Sequence, residues 1–213
     1  MKIILASASS RRKDILNNLG LEFEVYPADV DEDIDHTLSP EIICETLSKR
    51  KAEYVSDKCS ANDIVIGSDT IVHLNGKILE KPKSREEAFN MLKSLSGNVH
   101  QVYSGISVCY KGVTVTGHDL SEVVFRELTD DEIDFYIEYF PPYDKAGSYG
   151  IQDYASLFVE KTNGDYLSII GFPLFKTEQL LYKNFGIKIT DLRQRQIQQL
   201  VSGKDDKNDT TRQ

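Results

Sequence analysis

The chain has 213 residues, of which 40% are hydrophobic and 28% charged, a size and balance that suit one globular domain with its own core. Its formal net charge of −9 argues against a general affinity for nucleic acid or for an anionic membrane surface. Its three cysteines show no CxxC spacing, and no apolar run reaches the roughly 20 residues that a membrane span requires. We therefore expect a soluble protein of the cytoplasm, in which a local basic cluster indicates a small anionic ligand.

Strand and helix patterns alternate along the chain, which predicts an α/β fold. The first predicted elements are a strand at 3–6, a helix at 11–19, a strand at 21–26, an acidic loop at 29–33 and a helix that begins after Ser39. A buried strand at 63–67 follows and ends at Ser68–Asp69–Thr70, before a hairpin at 71–79 that turns at Asn75–Gly76.

The second half of the chain repeats this alternation. Its predicted elements are a helix capped by Ser84-x-x-Glu87, strands across 99–125, a helix capped by Thr129-x-x-Glu132, a hairpin at 155–170 and a helix at 174–185. We predict one domain over residues 1–190 and a possible helical extension at 191–202. Residues 203–213, GKDDKNDTTRQ, contain no apolar side chain and are predicted to be disordered.

The turn after the first strand, LASASSRR at 5–12, combines small hydroxyl side chains with paired arginines. Ser7, Ser9 and Ser10 precede Arg11 and Arg12, and the predicted helix adds free backbone N–H groups. This combination suits a phosphate group, although the GxxxxGK[ST] pattern of a P-loop is missing. A capped helix with two solvent-exposed arginines remains the alternative.

Lys51 and Asp69 stand where a ligand could reach them. Lys51 continues the i, i+4 series of Ile43 and Leu47, so it lies in line with the predicted buried stripe, although a snorkelling surface lysine would fit the same pattern. Asp69 follows a buried strand, where α/β sheets place their ligands, and could hold a cation or take a proton from water. An aspartate that merely begins a turn is the alternative.

Two further stretches add to this set. Lys81 follows a predicted strand, and residues 144–152, DKAGSYGIQ, form a glycine-spaced polar loop typical of a binding segment. The combined set consists of the cations Arg11, Arg12, Lys51 and Lys81 and the carboxylates Glu32 and Asp69. Charge neutralisation, a metal bridge and a base are what the attack of water on a nucleoside triphosphate needs.

These residues fall in segments that resemble the Maf family of nucleoside triphosphate pyrophosphatases. The matching segments are LASASSRRKDIL, VDE, LSKRKA, VIGSDTIV, LEKP, MLKSLSG, DKAGSYGIQ and GFPL, in order over residues 2–187. The resemblance implies hydrolysis of a nucleoside triphosphate to the monophosphate and pyrophosphate, with a divalent metal cation, Mg or Mn. It also implies an elongated, curved mixed β-sheet flanked by helices, two lobes around a deep cleft, and a homodimer.

The resemblance also implies roles for single residues. Asp69 matches the catalytic proton acceptor, and Ser7, Arg12, Glu32, Lys51 and Lys81 match residues that handle phosphate and metal, with Glu32 and Asp69 on the metal side. Arg11, Thr70 and Gln152 match the dTTP/UTP members, whereas members that favour 7-methyl-GTP have a tryptophan at the first of these positions. Ser10 replaces the usual proline, and we expect it to cap the helix without loss of function.

The predicted function is therefore removal of dTTP, UTP or modified pyrimidine triphosphates from the nucleotide pool. Two alternatives stay open: a purine-directed pyrophosphatase, acting on inosine triphosphate or 7-methyl-GTP, and a non-catalytic, nucleotide-binding regulator of cell division. The presence of every expected catalytic residue argues against the regulator, and a panel of triphosphates separates the two enzymes.

Overall fold

One mixed sheet runs through the structure, a computed structural model that describes residues 1–33, 35 and 37–209. Its strands are β1 (Ile3–Leu5), β2 (Glu24–Val25), β3 (Ile64–Leu74), β4 (Lys77–Leu79), β5 (Val99–Tyr110), β6 (Val113–Phe125) and β7 (Val159–Asn163). The strand order is β2-β1-β3-β5-β6-β7, and β4 pairs with β3. β1 is parallel to β2 and β3, and the other pairings are antiparallel, so the predicted mixed sheet is confirmed.

Helices cover both faces of this sheet. They are α1 (Ser10–Asn18), α2 (Pro40–Ser56), α3 (Arg85–Leu95), α4 (Asp130–Tyr139), α5 (Tyr166–Ile170), α6 (Leu174–Phe185) and α7 (Ile189–Asp209). α2 packs on one face, and two apolar clusters lie on the other face at opposite ends of the long strands. One cluster holds Ile66 and Ile106, and the other holds Val72 and Val102. The long antiparallel strands thus connect two lobes.

The edge of β3 is open between two short partners. β1 pairs with β3 only as far as Leu5 opposite Ile66, and β4 begins only at Val72 opposite Leu79. Asp69 lies within this gap, in the middle of an eleven-residue strand. The prediction that the strand ends before Asp69 is wrong, because pairing with β5 continues through this residue and keeps the backbone extended. Because neither β1 nor β4 pairs with β3 at Asp69, a ligand can still reach this residue, as it could at the end of a strand.

Two other predicted strands differ from the structure. β2 contains only Glu24 and Val25, because its partner β1 is itself three residues long. The hairpin predicted at 155–170 is wrong on both sides of β7, since a short 3-10 helix (Tyr154–Phe158) precedes this strand and a short helix, α5, follows the Asn163–Gly164 turn. The side chain of Asp165 accepts a hydrogen bond from the backbone of Leu167 and caps this helix. A short apolar run fits either element, and the cap selects the helix here.

The predicted helix caps and tight turns agree better with the structure. Thr129 and Glu132 form a complete capping box at α4, and the Ser84 hydroxyl accepts a bond from the backbone of Glu87 at α3. Asn75 and Gly76 both have positive φ, as a two-residue turn between antiparallel strands requires.

The C-terminal helix α7 runs through the predicted extension at 191–202 and on to Asp209. It therefore includes residues 203–209, which belong to the segment predicted to be disordered. Among these seven residues only Gly203 strongly disfavours a helix. Residues 210–213 lie outside the described residues. Leu192 is buried in the lobe of β1, and Gln196 exchanges two hydrogen bonds with the backbone of Glu22. None of the described helices is long and apolar enough to cross a membrane.

Candidate active site

All of the predicted site residues line one cavity of about 460 Å³ beside the open edge of β3. They are Ser7, Arg11, Arg12, Glu32, Lys51, Asp69, Thr70, Lys81 and Gln152. They come from α1, α2, β3 and four loops, so only the tertiary fold brings them together. Lys81 and Gln152 are exposed to solvent, whereas Ser7, Lys51 and Asp69 are buried.

One side of the cavity carries three charged groups in direct contact, here called the charged wall: Glu32, Lys51 and Asp69. The Lys51 ammonium lies 2.6 Å from Oδ1 of Asp69 and 2.6 Å from Oε1 of Glu32. The Lys51 side chain is only 10% exposed, so the alternative of a snorkelling surface lysine is wrong. Burial opposes ionisation of Glu32, but the hydrogen bond and charge of Lys51 outweigh it and lower the pKa of Glu32.

Two glycines let α2 come close enough to place Lys51 against Asp69. A Cβ at Gly67 would overlap the carbonyl oxygen of Ser48, and one at Gly105 would overlap the carbonyl oxygen of Cys44. Gly105 also lies directly opposite Asp69 in the β3–β5 pairing. Small residues at these two positions therefore set the depth of α2 on the sheet and, with it, the geometry of the charged wall.

The acidic loop that supplies Glu32 is held by a residue that the sequence did not single out. Arg50, on α2, donates to the backbone carbonyls of Asp31 and Asp33, at 3.2 Å and 2.9 Å. These bonds fix the loop beside the helix turn that carries Lys51. From the sequence alone Arg50 looks like an ordinary outward-facing residue, because its partners are backbone atoms of a loop without a regular pattern.

Arg12 also lines the cavity and is held by three acceptors. Its guanidinium donates to the carbonyl of Gly171 at 2.8 Å, to Oγ of Ser7 at 3.0 Å and to Oγ1 of Thr70 at 3.2 Å. Arg12 is therefore not a free surface arginine. Burial lowers the pKa of Arg12, and the nearby carboxylate of Asp69 opposes this shift.

Hydroxyl groups continue the contacts of Arg12 into the core. The Thr70 hydroxyl also bonds to Oγ of Ser104 at 3.1 Å, and Ser104 donates to the carbonyl of Ser168. Thr70 is thus a structural partner of Arg12. The prediction that Ser10 caps α1 is wrong, since Ser9 occupies the cap position and its side chain makes no capping bond. The backbone N–H groups of the first turn are left for another partner.

A second group of residues that line the cavity, here called the mouth, consists of Arg11, Asp144 and Gln152. Arg11 Nη1 lies 2.5 Å from Oδ2 of Asp144, and its Nη2 donates to the Asp144 carbonyl at 3.2 Å. Lys145 donates to the other carboxylate oxygen of Asp144 at 2.8 Å. Asp144 and Lys145 were recognised in the sequence only as part of a polar loop, because the contact with Arg11 spans 133 positions.

Buried aromatic residues hold the loop that carries Gln152. The Tyr136 hydroxyl accepts from the backbone of Gly150 and donates to Asp153, both at 3.2 Å. The Tyr149 hydroxyl bonds to Nε2 of His100 at 2.8 Å, and burial lowers the pKa of His100 to about 4. His100 is thus a neutral core residue that supports the loop.

The charged wall also contains the carboxylates that could hold a metal ion. Among the described residues, no group of three or more His, Cys, Asp or Glu side chains is arranged to hold a metal. Glu32 and Asp69 nevertheless converge on a single cation, the Lys51 ammonium. Magnesium is commonly held by one or two carboxylates together with substrate phosphates and water, so these two residues fit a metal that arrives with its substrate.

The mixed sheet and its charged cavity define an α/β protein built to receive a small anion, and sequence comparison gives the family. A family model described as Maf-like protein matches residues 2–184. The chain therefore belongs to the Maf-like family, as its motifs predicted.

Curated relatives match nearly the whole chain. A dTTP/UTP pyrophosphatase from Thermotoga maritima is 47% identical over 195 residues, covering 91% of this chain and 95% of the relative. A dTTP/UTP pyrophosphatase from Alkaliphilus oremlandii is 46% identical over 190 residues, covering 88% and 98%. A solved dITP/XTP pyrophosphatase from Mycobacterium abscessus aligns with 60% of this chain and 76% of its own, at 13% identity and a TM-score of 0.36, too distant to add to the argument.

Proposed function

We propose that this protein is a nucleoside triphosphate pyrophosphatase that hydrolyses dTTP and UTP to the monophosphate and pyrophosphate. The observation that carries the proposal is the contact of Lys51 with both Glu32 and Asp69 in a cavity that also contains Arg12. The names of relatives that share 44% to 47% of their residues with this chain support the same substrates. Modified pyrimidine triphosphates are further candidate substrates.

Asp69 is the proposed base. Its Oδ1 is engaged by Lys51 at 2.6 Å, which fixes the carboxylate and leaves the second oxygen to accept a proton. Water loses that proton to Asp69 as its oxygen bonds to the α-phosphorus. The bond from the α-phosphorus to the bridging oxygen breaks, and pyrophosphate leaves with the electron pair. A positioned base of this kind accelerates a reaction by roughly 100-fold to 10,000-fold.

Cationic and neutral donors hold the triphosphate in this proposal. Arg12 and Lys81 supply positive charge, Ser7 supplies a hydroxyl group, and the first turn of α1 supplies uncapped N–H groups. Glu32 and Asp69 would hold a divalent cation, Mg or Mn, which neutralises phosphate charge when it is bound. Lys51 then keeps the two carboxylates from repelling each other.

The mouth is the proposed site of base selection. Arg11 presents donors, and the exposed amide of Gln152 can both donate and accept, which suits the edge of uracil or thymine. Thr70 also lines the cavity, as the third residue proposed to select the base, and it holds Arg12. A homodimer remains an expectation from the family resemblance, and a cytoplasmic location remains an expectation from the cysteine pattern and the lack of a long apolar run. Sedimentation of the purified protein tests the first of them.

A panel of UTP, dTTP, ITP and 7-methyl-GTP, with pyrophosphate detection and with or without added Mg or Mn, tests the proposal. We expect metal-dependent release from UTP and dTTP, and a loss of at least about 100-fold in Asp69→Asn. Asp119→Asn is the matched control, since Asp119 is another strand aspartate that does not line the cavity. Preference for ITP or 7-methyl-GTP would favour the purine-directed alternative, and binding of UTP without pyrophosphate release would favour the regulator.

A further inference from the structure

An ion pair at the mouth joins the two chain segments that carry the predicted base-selecting residues. Arg11, on α1, contacts both the carboxylate and the backbone carbonyl of Asp144. Asp144 is the first residue of the loop that reaches to Gln152. The Arg11 side chain is 21% exposed, whereas that of Asp144 is 61% exposed. The guanidinium of Arg11 is therefore mostly covered, whereas the carboxylate that holds it is largely open to solvent.

Asp144 is well suited to hold a guanidinium in one orientation. Because it offers a side-chain and a main-chain acceptor to different nitrogens of Arg11, rotation of the guanidinium breaks at least one bond. Lys145 binds the second carboxylate oxygen at 2.8 Å and restrains the carboxylate in turn. Burial opposes ionisation of Asp144, but hydrogen bonds from Lys145 and Arg11 outweigh it and lower the pKa of Asp144.

The held guanidinium keeps donors for a ligand. Arginine has five N–H groups, and the contacts of Arg11 among the described residues use two of them. The remaining N–H groups can donate only, so they favour a carbonyl oxygen and disfavour an amino group. Thymine and uracil have a carbonyl oxygen at the position where cytosine has an amino group.

We propose that Asp144 is a positioning residue for base selection, which holds Arg11 so that its free N–H groups favour uracil and thymine over cytosine; this rests on the proposed function. Asp144 does not touch the reacting phosphate in this account and acts only through Arg11. Its removal therefore changes the apparent affinity for the base and leaves the chemical step at Asp69 intact.

The remaining anchors of the loop make this proposal testable in a folded protein. The bonds from Tyr136 to Gly150 and from His100 to Tyr149 do not involve Asp144. Asp144→Asn and Asp144→Ala should therefore keep the native thermal unfolding transition. A change in base preference can then be assigned to Arg11 and not to loss of the loop.

The first experiment measures kcat and KM for UTP and CTP in Asp144→Asn. We expect KM for UTP to rise about fivefold to tenfold with kcat within about twofold, and the preference for UTP over CTP to fall by the same factor, as suits one exposed charged hydrogen-bond pair. Asp134→Asn is the matched control, because it breaks another exposed pair, with Arg85 at 2.8 Å, away from the cavity. An unchanged preference in Asp144→Asn, or an equal loss of kcat for both nucleotides, would overturn the proposal.

The second experiment combines Asp144→Asn with Arg11→Ala. If Asp144 acts through Arg11, the double variant has the same UTP-to-CTP preference as Arg11→Ala alone, whereas independent multiplication of the two effects overturns the proposal. Added salt should lower the preference in the unaltered protein but not in Asp144→Asn, which provides a test without any folding change. Failure of the unaltered protein to release pyrophosphate from UTP would instead refute the proposed function, and this inference with it.

Discussion

The charged wall and the mouth of the cavity differ in how most of their residues are held, with Glu32 on its loop and Arg11 on α1 as the exceptions. Lys51 and Asp69 stand on a long helix and a long strand, and their side chains are 10% and 13% exposed. Asp144 and Gln152 stand on a loop, and Asp144 is 61% exposed. The difference indicates that the groups proposed to react are fixed by regular structure, whereas the groups proposed to select the base depend on a few side-chain bonds that can change without changing the fold.

The largest expected effect tests the regular structure behind the charged wall. Gly105→Ala places a methyl group on the carbonyl oxygen of Cys44, a backbone atom that cannot rotate away. We expect α2 to be pushed from the sheet, with a loss of about 4 kcal/mol in the free energy of unfolding, measured by urea denaturation.

Gly117→Ala is the matched control for this glycine. Gly117 lies on the neighbouring strand β6 and has no positive φ, and a methyl group there would meet side-chain atoms of Lys176 at 3.5 Å and of Leu180 at 3.8 Å, both ordinary contacts. We expect a change within about 0.5 kcal/mol. If Gly105→Ala lowers the free energy of unfolding as little as Gly117→Ala does, the close approach of α2 does not determine the geometry of the charged wall.

A smaller expected effect on the free energy of unfolding depends on pH and comes from His100, which supports the loop of the mouth. His100 is buried and neutral with its pKa lowered to about 4 from 6.5, so the unfolded chain binds the proton more readily than the folded one. Its contribution to stability is therefore fully present above about pH 6.5 and is lost as the pH falls through about 4, a change of about 3 kcal/mol.

The measurement is the free energy of unfolding between pH 7 and pH 4 in the unaltered protein and in His100→Gln. The difference between the two should narrow as the pH falls, because glutamine carries no titrating group. His73→Gln, which removes a half-buried histidine bonded to Gln101, is the control. The difference in free energy of unfolding between this variant and the unaltered protein should not narrow in the same way as the pH falls. A constant difference across this range would mean that His100 does not titrate as described.

The smallest expected effect on the free energy of unfolding concerns the hydroxyl group of Thr70, which contacts Arg12 and Ser104. Thr70→Val removes an acceptor of Arg12 and a partner of Ser104, so we expect a loss of about 1 to 2 kcal/mol in the free energy of unfolding, measured by thermal and urea denaturation. Thr162→Val, at an exposed position on β7, should leave the stability unchanged. Equal stability of both variants would show that Thr70 is not needed to hold Arg12.

Sequence reasoning predicted which residues line the cavity better than it predicted their positions within strands and the contacts that hold them. Ser7, Lys51 and Asp69 fall in short local motifs and at helical or strand spacing, which a sequence displays directly. The position of Asp69 within β3 was missed because it depends on where β1 and β4 stop pairing, a property of the assembled sheet. Arg50, Asp144 and His100 were missed as contributors because their partners are distant in the chain or are backbone atoms.

The most direct test of the account is a comparison of kcat and KM for UTP and CTP in Asp69→Asn and Arg11→Ala. The account predicts that Asp69→Asn lowers kcat at least about 100-fold for both nucleotides, whereas Arg11→Ala raises KM for UTP about tenfold and nearly keeps kcat. A loss of kcat in Arg11→Ala that is equal for UTP and CTP, or full activity in a folded Asp69→Asn, would contradict the division between the charged wall and the mouth.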